Sequence, residues 1–221
     1  MSRDTFEARL DTLRTDICAM GRDVTERLDR AVTAYEQRDP AAGRRVAETD
    51  DEINDRYLAL EQDCIDLLAL QQPVASDLRL VVASFKILTD LERVGDLAGN
   101  LGGYVDAMAG DTVPSVPITD IGEMTLAQLD DAMAAYETGD PQRCREVAAA
   151  DTDLDQRCGA ATDDLVRSLV DRDPDADVAA TLADTQRYLL TVRDLERAGD
   201  HAVNIAARTL YMLENDDALI Y

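Results

Sequence analysis

The sequence predicts an all-α protein made of two tandem three-helix bundles related by an internal repeat, and three observations predict it. Apolar residues recur at steps of three and four along most of the 221 residues, the period of helices with one buried face. Aromatic residues make up only 4%, with no Trp and two Phe, and the dominance of Ala, Leu, Val, Asp, Glu and Arg suits helices better than strands. The second half of the chain then repeats the pattern of the first.

The first helix carries Phe6, Leu10, Leu13, Ile17, Met20, Val24 and Leu28 on one seam and stops before Asp39-Pro40. Asp followed by Pro is a helix start, because the carboxylate caps free amides and Pro sits where no backbone donor is needed. A second helix therefore runs from Pro40 through Val46, Ile53, Tyr57, Leu60, Cys64 and Leu67 to Leu70, where Gln71-Gln72-Pro73 breaks it. The third spans Ser76 to Met108, with Leu78, Val81, Phe85, Leu88, Leu91, Val94, Leu97, Leu101 and Tyr104 in register. Helices of roughly 30 residues are about 45 Å long.

Gly110-Asp-Thr-Val-Pro114-Ser-Val-Pro117 has two prolines close together and marks the boundary. It divides the chain into a first bundle at 1–110, a linker at 111–117 and a second bundle at 118–221. The fourth helix shows Ile118, Ile121, Met124, Leu129, Met133 and Tyr136; Asp140-Pro141 opens the fifth, and Asp173-Pro174 opens the sixth, which reaches Glu214. Asp39-Pro40, Val46-Ala47 and Asp50 match Asp140-Pro141, Val147-Ala148 and Asp151 at an offset of 101, and the stretch from Asp90 to Asn100 matches Asp194 to Asn204 at 104. Repeats of this length are too long for a solenoid unit and right for two small helical bundles.

Charge narrows the function classes. With 46 acidic and 22 basic residues, the net charge is -24 and the isoelectric point near 4.2. No segregated basic face is visible, so nucleic acid and anionic membrane surfaces are excluded as partners. Lys86 is the sole lysine, and such acid excess resembles the surface of a cytoplasmic, halophilic protein. Cys18, Cys64, Cys144 and Cys158 form no C-x-x-C pair and read as reduced, buried cysteines. There is no signal-peptide pattern and no transmembrane run, so the protein is expected in the cytoplasm.

The informative motif is an eleven-residue block that occurs twice. Asp90-Leu-Glu92-Arg93-Val-Gly95-Asp96-Leu-Ala-Gly-Asn100 in the third helix matches Asp194-Leu-Glu196-Arg197-Ala-Gly199-Asp200-His201-Ala-Val-Asn204 in the sixth, with eight of eleven positions identical. Glu and Asp four apart lie on one helix face, so each half presents an oxygen stripe. The spacing alone has little value: in so acidic a chain, two acids four apart arise roughly nine times by chance. The duplicated block, with a mid-helix glycine, is the specific signal. Asp50 and Asn54 on the second helix, and Asp151 and Asp155 on the fifth, are oxygen pairs that can face those stripes. Such clusters either bind protons or hold a cation, and all-oxygen ligands suit Mg, Ca, Mn or Fe better than Cu or structural Zn. The alternative is a salt-bridge ladder, Arg93 with Asp90 or Asp96 and Arg197 with Asp194 or Asp200.

Gln72-Pro73-Val74-Ala75-Ser76-Asp77-Leu78-Arg79, followed by the two blocks, resembles the PhoU family of phosphate-signalling regulators over nearly the whole chain. The resemblance implies two tandem three-helix bundles, acid-x-x-x-Asp motifs holding multinuclear metal clusters (Fe, Mn, Mg or Zn), and action with the phosphate-specific ABC transporter and its sensor histidine kinase. Carried over by position, the metal residues are Glu92, Asp96, Glu196 and Asp200, with Asp151 and Asp155 in the second half and Asp50 and Asn54 in the first. Asn54 stands where the strict pattern has Asp, with Asp51-x-x-x-Asp55 as an alternative register, and Thr181-Leu182-Ala183 replaces Asp77-Leu78-Arg79 in the second half. The expected function is thus non-enzymatic regulation of phosphate uptake through contact with the transporter ATPase or a sensor protein, as a homodimer. A metal-free acidic adaptor is the alternative. A carboxylate di-metal oxidase is disfavoured, since the chain has one His and no Glu-x-x-His. Two smaller features complete the reading: Gly95, Gly99 and Gly103 form a smooth strip suited to tight internal packing or partner docking, and His201 is either a ligand or a surface or capping residue.

Overall fold

A computed structural model describes residues 3–49, 51–71, 75–108, 117–170 and 178–220. Among them are seven helices and no strand: α1 (Arg3–Gln37), α2 (Pro40–Glu48), α3 (Asp51–Gln71), α4 (Ala75–Asp106), α5 (Ile118–Thr138), α6 (Pro141–Val170) and α7 (Val178–Glu214). Almost all of the expected linker, Gln72-Pro73-Val74 and the Asp173-Pro174 helix start lie outside the described residues.

Helix α1 packs on α2, α3 and α4, while α5, α6 and α7 pack on one another; the halves meet where α4 lies against α7 and α1 against α5. A central layer of α1, α4, α5 and α7 is therefore flanked by α2 and α3 on the first half and by α6 on the second. The expected seams form its core: Ile17, Met20, Leu28, Leu88, Leu91, Leu101, Ile118, Ile121 and Leu129 are essentially fully buried. The four cysteines are buried and unpaired.

Both Asp-Pro starts act as caps. Asp39 accepts from the amides of Ala41 and Ala42 at 3.0 Å, and Asp140 from those of Gln142 and Arg143 at 2.9 and 3.2 Å. The residue before each cap turns left-handed, at φ 68° for Gly139 and φ 51° for Arg38. Glycine has no Cβ to clash there, whereas an L side chain pays roughly 1–2 kcal/mol. The same turn is thus relaxed in the second half and strained in the first.

The expected second helix is two helices. α2 ends at Glu48 and α3 begins at Asp51, whereas its counterpart α6 is continuous from Pro141 to Val170. Thr49 closes the end of α2: its hydroxyl donates to the carbonyls of Arg45 and Val46 at 3.0 and 3.2 Å, satisfying acceptors at a helix end. The equivalent residue in α6 is Ala150, which has no hydroxyl. Further along, α2 and α4 touch backbone to backbone: a Cβ on Gly43 would stand 2.6 Å from the Gly102 carbonyl oxygen, and one on Gly102 2.6 Å from that of Gly43.

Candidate functional site

The duplicated block has two working faces, because residues two apart on a helix point in nearly opposite directions. One face holds the halves together. Asp90 on α4 accepts from Nδ1 of His201 on α7 at 2.8 Å, buried between the bundles. Asp194 on α7, fully buried, accepts from the Tyr104 hydroxyl on α4 at 2.9 Å and from Arg193 at 2.9 and 3.1 Å. Repeat-equivalent aspartates therefore reach across the pseudo-twofold relation to opposite partners. His201 is an inter-bundle contact, neither a surface nor a capping residue. Of the proposed ladder, Arg197 lies 3.9 Å from Asp194.

The other face of α7 carries Glu196 and Asp200 toward α6, where Asp151 and Asp155 stand one turn apart. These four carboxylates share one electrostatic environment. Burial raises Glu196 above its ordinary range, and the charges of Asp155, Asp200 and Asp151 raise it further. Asp200 is raised by burial and then by Asp151 and Asp155, with His201 and Arg197 pulling the other way. Asp155 is raised by burial and then by Asp151. Behind them the Cys158 thiol is pushed up to about 12, first by burial and then by Glu196, Asp155, Asp151 and Asp200 in turn. It is a buried, protonated wall to the site.

Gln128 on α5, which sequence reasoning did not single out, closes the base of this cluster. It is 4% exposed, and its Nε2 donates to Asp151 Oδ1 at 3.0 Å and to the Val147 carbonyl at 3.3 Å. Its Oε1 is buried and has no hydrogen-bond partner. Gly199 makes room for it, since a Cβ there would stand 2.9 Å from Gln128 Oε1 and 2.3 Å from Leu154. A buried amide oxygen without a donor is costly unless something else satisfies it.

In the first half the residues are more dispersed. Glu92 lies half-buried within electrostatic reach of Tyr57, whose phenol is raised by burial, then by its bond to Glu61, and also by the charges of Glu61 and Glu92. Asp96 opens onto a cleft that it shares with Arg27, Gly99 and Asn100. Asn54 is half-buried on α3, and Asp50 lies outside the described residues. The glycine strip resolves into separate contacts: Gly95 adjoins Ile53 and Gly99 adjoins Arg27, while nothing lies within 4 Å of a Cβ on Gly103. The first two positions are internal packing.

The donor chemistry of the second half fits a hard cation: four carboxylates in mutual repulsion and one buried, unsatisfied amide oxygen. Among the described residues no three Asp, Glu, His or Cys side chains are gathered tightly enough to grip an ion in their present rotamers. Ligation therefore requires the exposed Asp155 and Asp200 side chains to rotate inward, a fast motion at a surface. The first half fits less well, with Asn54 in place of a carboxylate and a buried arginine beside Asp96.

Fold and site together define a duplicated three-helix-bundle protein whose facing helices carry paired carboxylates. The PhoU domain model matches it twice, at residues 17–105 and 118–209. The chain belongs to the PhoU family. It is 31% identical over 215 residues to the phosphate-specific transport system accessory protein PhoU homolog of Pseudomonas putida, covering 96% of this chain and 82% of that protein. Against the phosphate-specific transport system accessory protein PhoU of Escherichia coli K12 the identity is 28% over 214 residues, covering 96% and 86%. Two crystal structures have the same fold at a TM-score of 0.88. PhoU from Pseudomonas aeruginosa is 29% identical, with 96% of this chain and 100% of that chain covered. The phosphate transport system regulatory protein PhoU from Streptococcus pneumoniae is 25% identical, with 96% and 98% covered.

Proposed function

We propose that this protein is a non-enzymatic regulator that restrains phosphate uptake by contact with the ATPase subunit of the phosphate ABC transporter, or with that system's sensor kinase, in the cytoplasm. The observation that carries the reading is the twofold match of the PhoU domain across nearly the whole chain, with relatives named as phosphate-transport accessory proteins. Among the described residues no helix is long and apolar enough to cross a membrane, which suits an accessory role at a transporter's inner face. The three arginines along the cleft between α1 and α2 are engaged within the chain: Arg27 donates to the Val46 carbonyl, Arg30 pairs with Glu26 and Arg45 lies 3.9 Å from Asp39.

Asp151, Asp155, Glu196 and Asp200 are the residues that would hold metal, with Gln128 Oε1 as a neutral fifth oxygen. A bound cation would supply positive charge that offsets their repulsion. The protein's own part is to keep the four carboxylates on two facing helices and to seal the rear of the site with Cys158 and Leu154. Contact with a partner, or with a second copy in a homodimer, has apolar surface available at repeat-equivalent places. Ile65 and Val166 are 45% and 50% exposed, and Leu78 and Leu182 are 42% and 54% exposed. Affinity capture of the tagged protein from cells lysed in molar salt tests the partner: co-purification of the transporter ATPase supports the reading, and capture of neither ATPase nor sensor kinase sinks it.

A further inference from the structure

The two halves differ at one buried position in a way that bears directly on cation binding. Arg27 on α1 and Gln128 on α5 are repeat equivalents at the offset of 101. They make the same anchoring bond: Arg27 Nη2 donates to the Val46 carbonyl at 3.1 Å, and Gln128 Nε2 donates to the equivalent Val147 carbonyl at 3.3 Å. Both are buried, at 5% and 4% exposure. One brings a permanent positive charge to the spot, and the other brings a neutral amide whose oxygen is left unsatisfied.

The helix opposite is matched to each. Arg27 is longer than Gln128, and its guanidinium reaches over Gly99, where a Cβ would stand 2.9 Å from Nη2. The residue equivalent to Gly99 on α7 is Val203, a larger side chain that is partly buried against the core. The long side chain at Arg27 therefore goes with glycine at its opposite position, and the shorter Gln128 with valine at the equivalent one. The guanidinium lines the cleft that holds Asp96 and Asn100, and also the one that holds Thr49 and Ile53 at the α2–α3 junction. It thus borders the α4 oxygen stripe at Asp96 and Asn100 and reaches the start of α3 at Glu52 and Ile53. Asp96 shares its cleft with the charged Arg27, and Glu92 stands one turn before it on α4; in the second bundle Asp151, Asp155, Glu196 and Asp200 lie in mutual electrostatic reach beside Gln128, which carries no charge.

We infer that Arg27 is the built-in cation of the first bundle: its guanidinium occupies the place of a metal ion, so the first bundle takes no divalent cation and the second is the sole metal site. This rests on the proposed metal site of the second bundle.

Mn²⁺ titration of chelator-stripped full-length protein, followed by metal analysis after dialysis, tests this. Wild type is expected to lose its Mn²⁺ on Glu196→Gln with Asp200→Asn and to keep it on Glu92→Gln with Asp96→Asn. Adding Arg27→Gln with Gly99→Val to the second-bundle variant is expected to create a site at least tenfold tighter than that variant shows. Mn²⁺ retained in the second-bundle variant but lost with Glu92→Gln and Asp96→Asn overturns the inference, as does a helical, folded Arg27 variant that gains no site. Should that variant fail to fold, the reverse exchange, Gln128→Arg with Val203→Gly, decides: loss of Mn²⁺ with helicity intact supports the inference, and undiminished binding overturns it. If wild type binds no Mn²⁺ yet the Arg27 variant does, the role of Arg27 stands and the metal reading of the second bundle falls.

Discussion

Glu196→Gln with Asp200→Asn reverses its effect on stability according to whether metal is present. Without metal, the four carboxylates of the second bundle repel one another in all six pairwise combinations, and neutralising two removes five of them. Surface like-charge pairs at such spacings cost about 0.2–0.5 kcal/mol each, so the relief is on the order of 1–2 kcal/mol. For a chain of this size that raises Tm by about 2–8 °C. The sign has a pH signature. Glu196 and Asp200 are raised in the folded protein, so their penalty is fully present above the raised values and fades as pH falls toward the ordinary carboxylate range of about 4. The advantage of the variant should shrink over that interval. With Mn²⁺ at a hundred times its dissociation constant, wild type gains about 2.7 kcal/mol and the variant nothing, so wild type becomes the more stable. Differential scanning calorimetry in low salt, with chelator or with Mn²⁺, reads both arms. A variant no more stable than wild type in chelator, or one stabilised by Mn²⁺ as much as wild type, refutes the reasoning.

Four further outcomes are expected. Gly102→Ala drives a Cβ against the Gly43 carbonyl, a backbone atom that cannot swing away; overpacking costs about 1–3 kcal/mol, read as a Tm loss of about 2–10 °C in thermal denaturation. Arg38→Gly relaxes the left-handed turn that Gly139 already occupies in the second half, with a gain of about 0.5–1 kcal/mol measurable by urea unfolding. His201→Ala leaves the buried Asp90 carboxylate without its 2.8 Å partner and lowers stability by about 1–3 kcal/mol in the same assay, with faster hydrogen exchange in α4 and α7. Raising KCl from 0.1 to 1 M shortens the Debye length from about 10 to 3 Å, so the Tm of a chain at -24 should rise; an unchanged Tm would count against adaptation to high salt.

What the sequence disclosed followed from local rules. The three-four apolar seams and the Asp39 and Asp140 caps depend only on residues a turn or two apart, and the repeat identified which carboxylates among 46 acids to follow. Asp151, Asp155, Glu196 and Asp200 are indeed mutually within electrostatic reach. Three features were hidden because their causes are tertiary or their trace in the sequence is a single residue. The helix break after Glu48 falls within an unbroken apolar pattern, and its one local mark is Thr49, which bonds the last carbonyls of α2 where the second half has Ala150. Asp90 and Asp194 looked like parts of an acidic stripe or a local ion pair, yet they sit on the opposite face from Glu92 and Glu196 and meet partners from the other bundle, which spacing within one helix does not identify. Arg27 and Gln128 are polar residues in apolar seams. Aligning the first and fourth helices at the 101 offset, rather than only the acidic blocks, would have exposed the pair.

Phosphate accumulation in living cells is the most direct test of the proposed restraint on uptake. Deleting the gene should cause excess phosphate uptake and expression of phosphate-starvation genes in phosphate-replete medium, both restored by the wild-type chain. Uptake and expression unchanged by the deletion would contradict it.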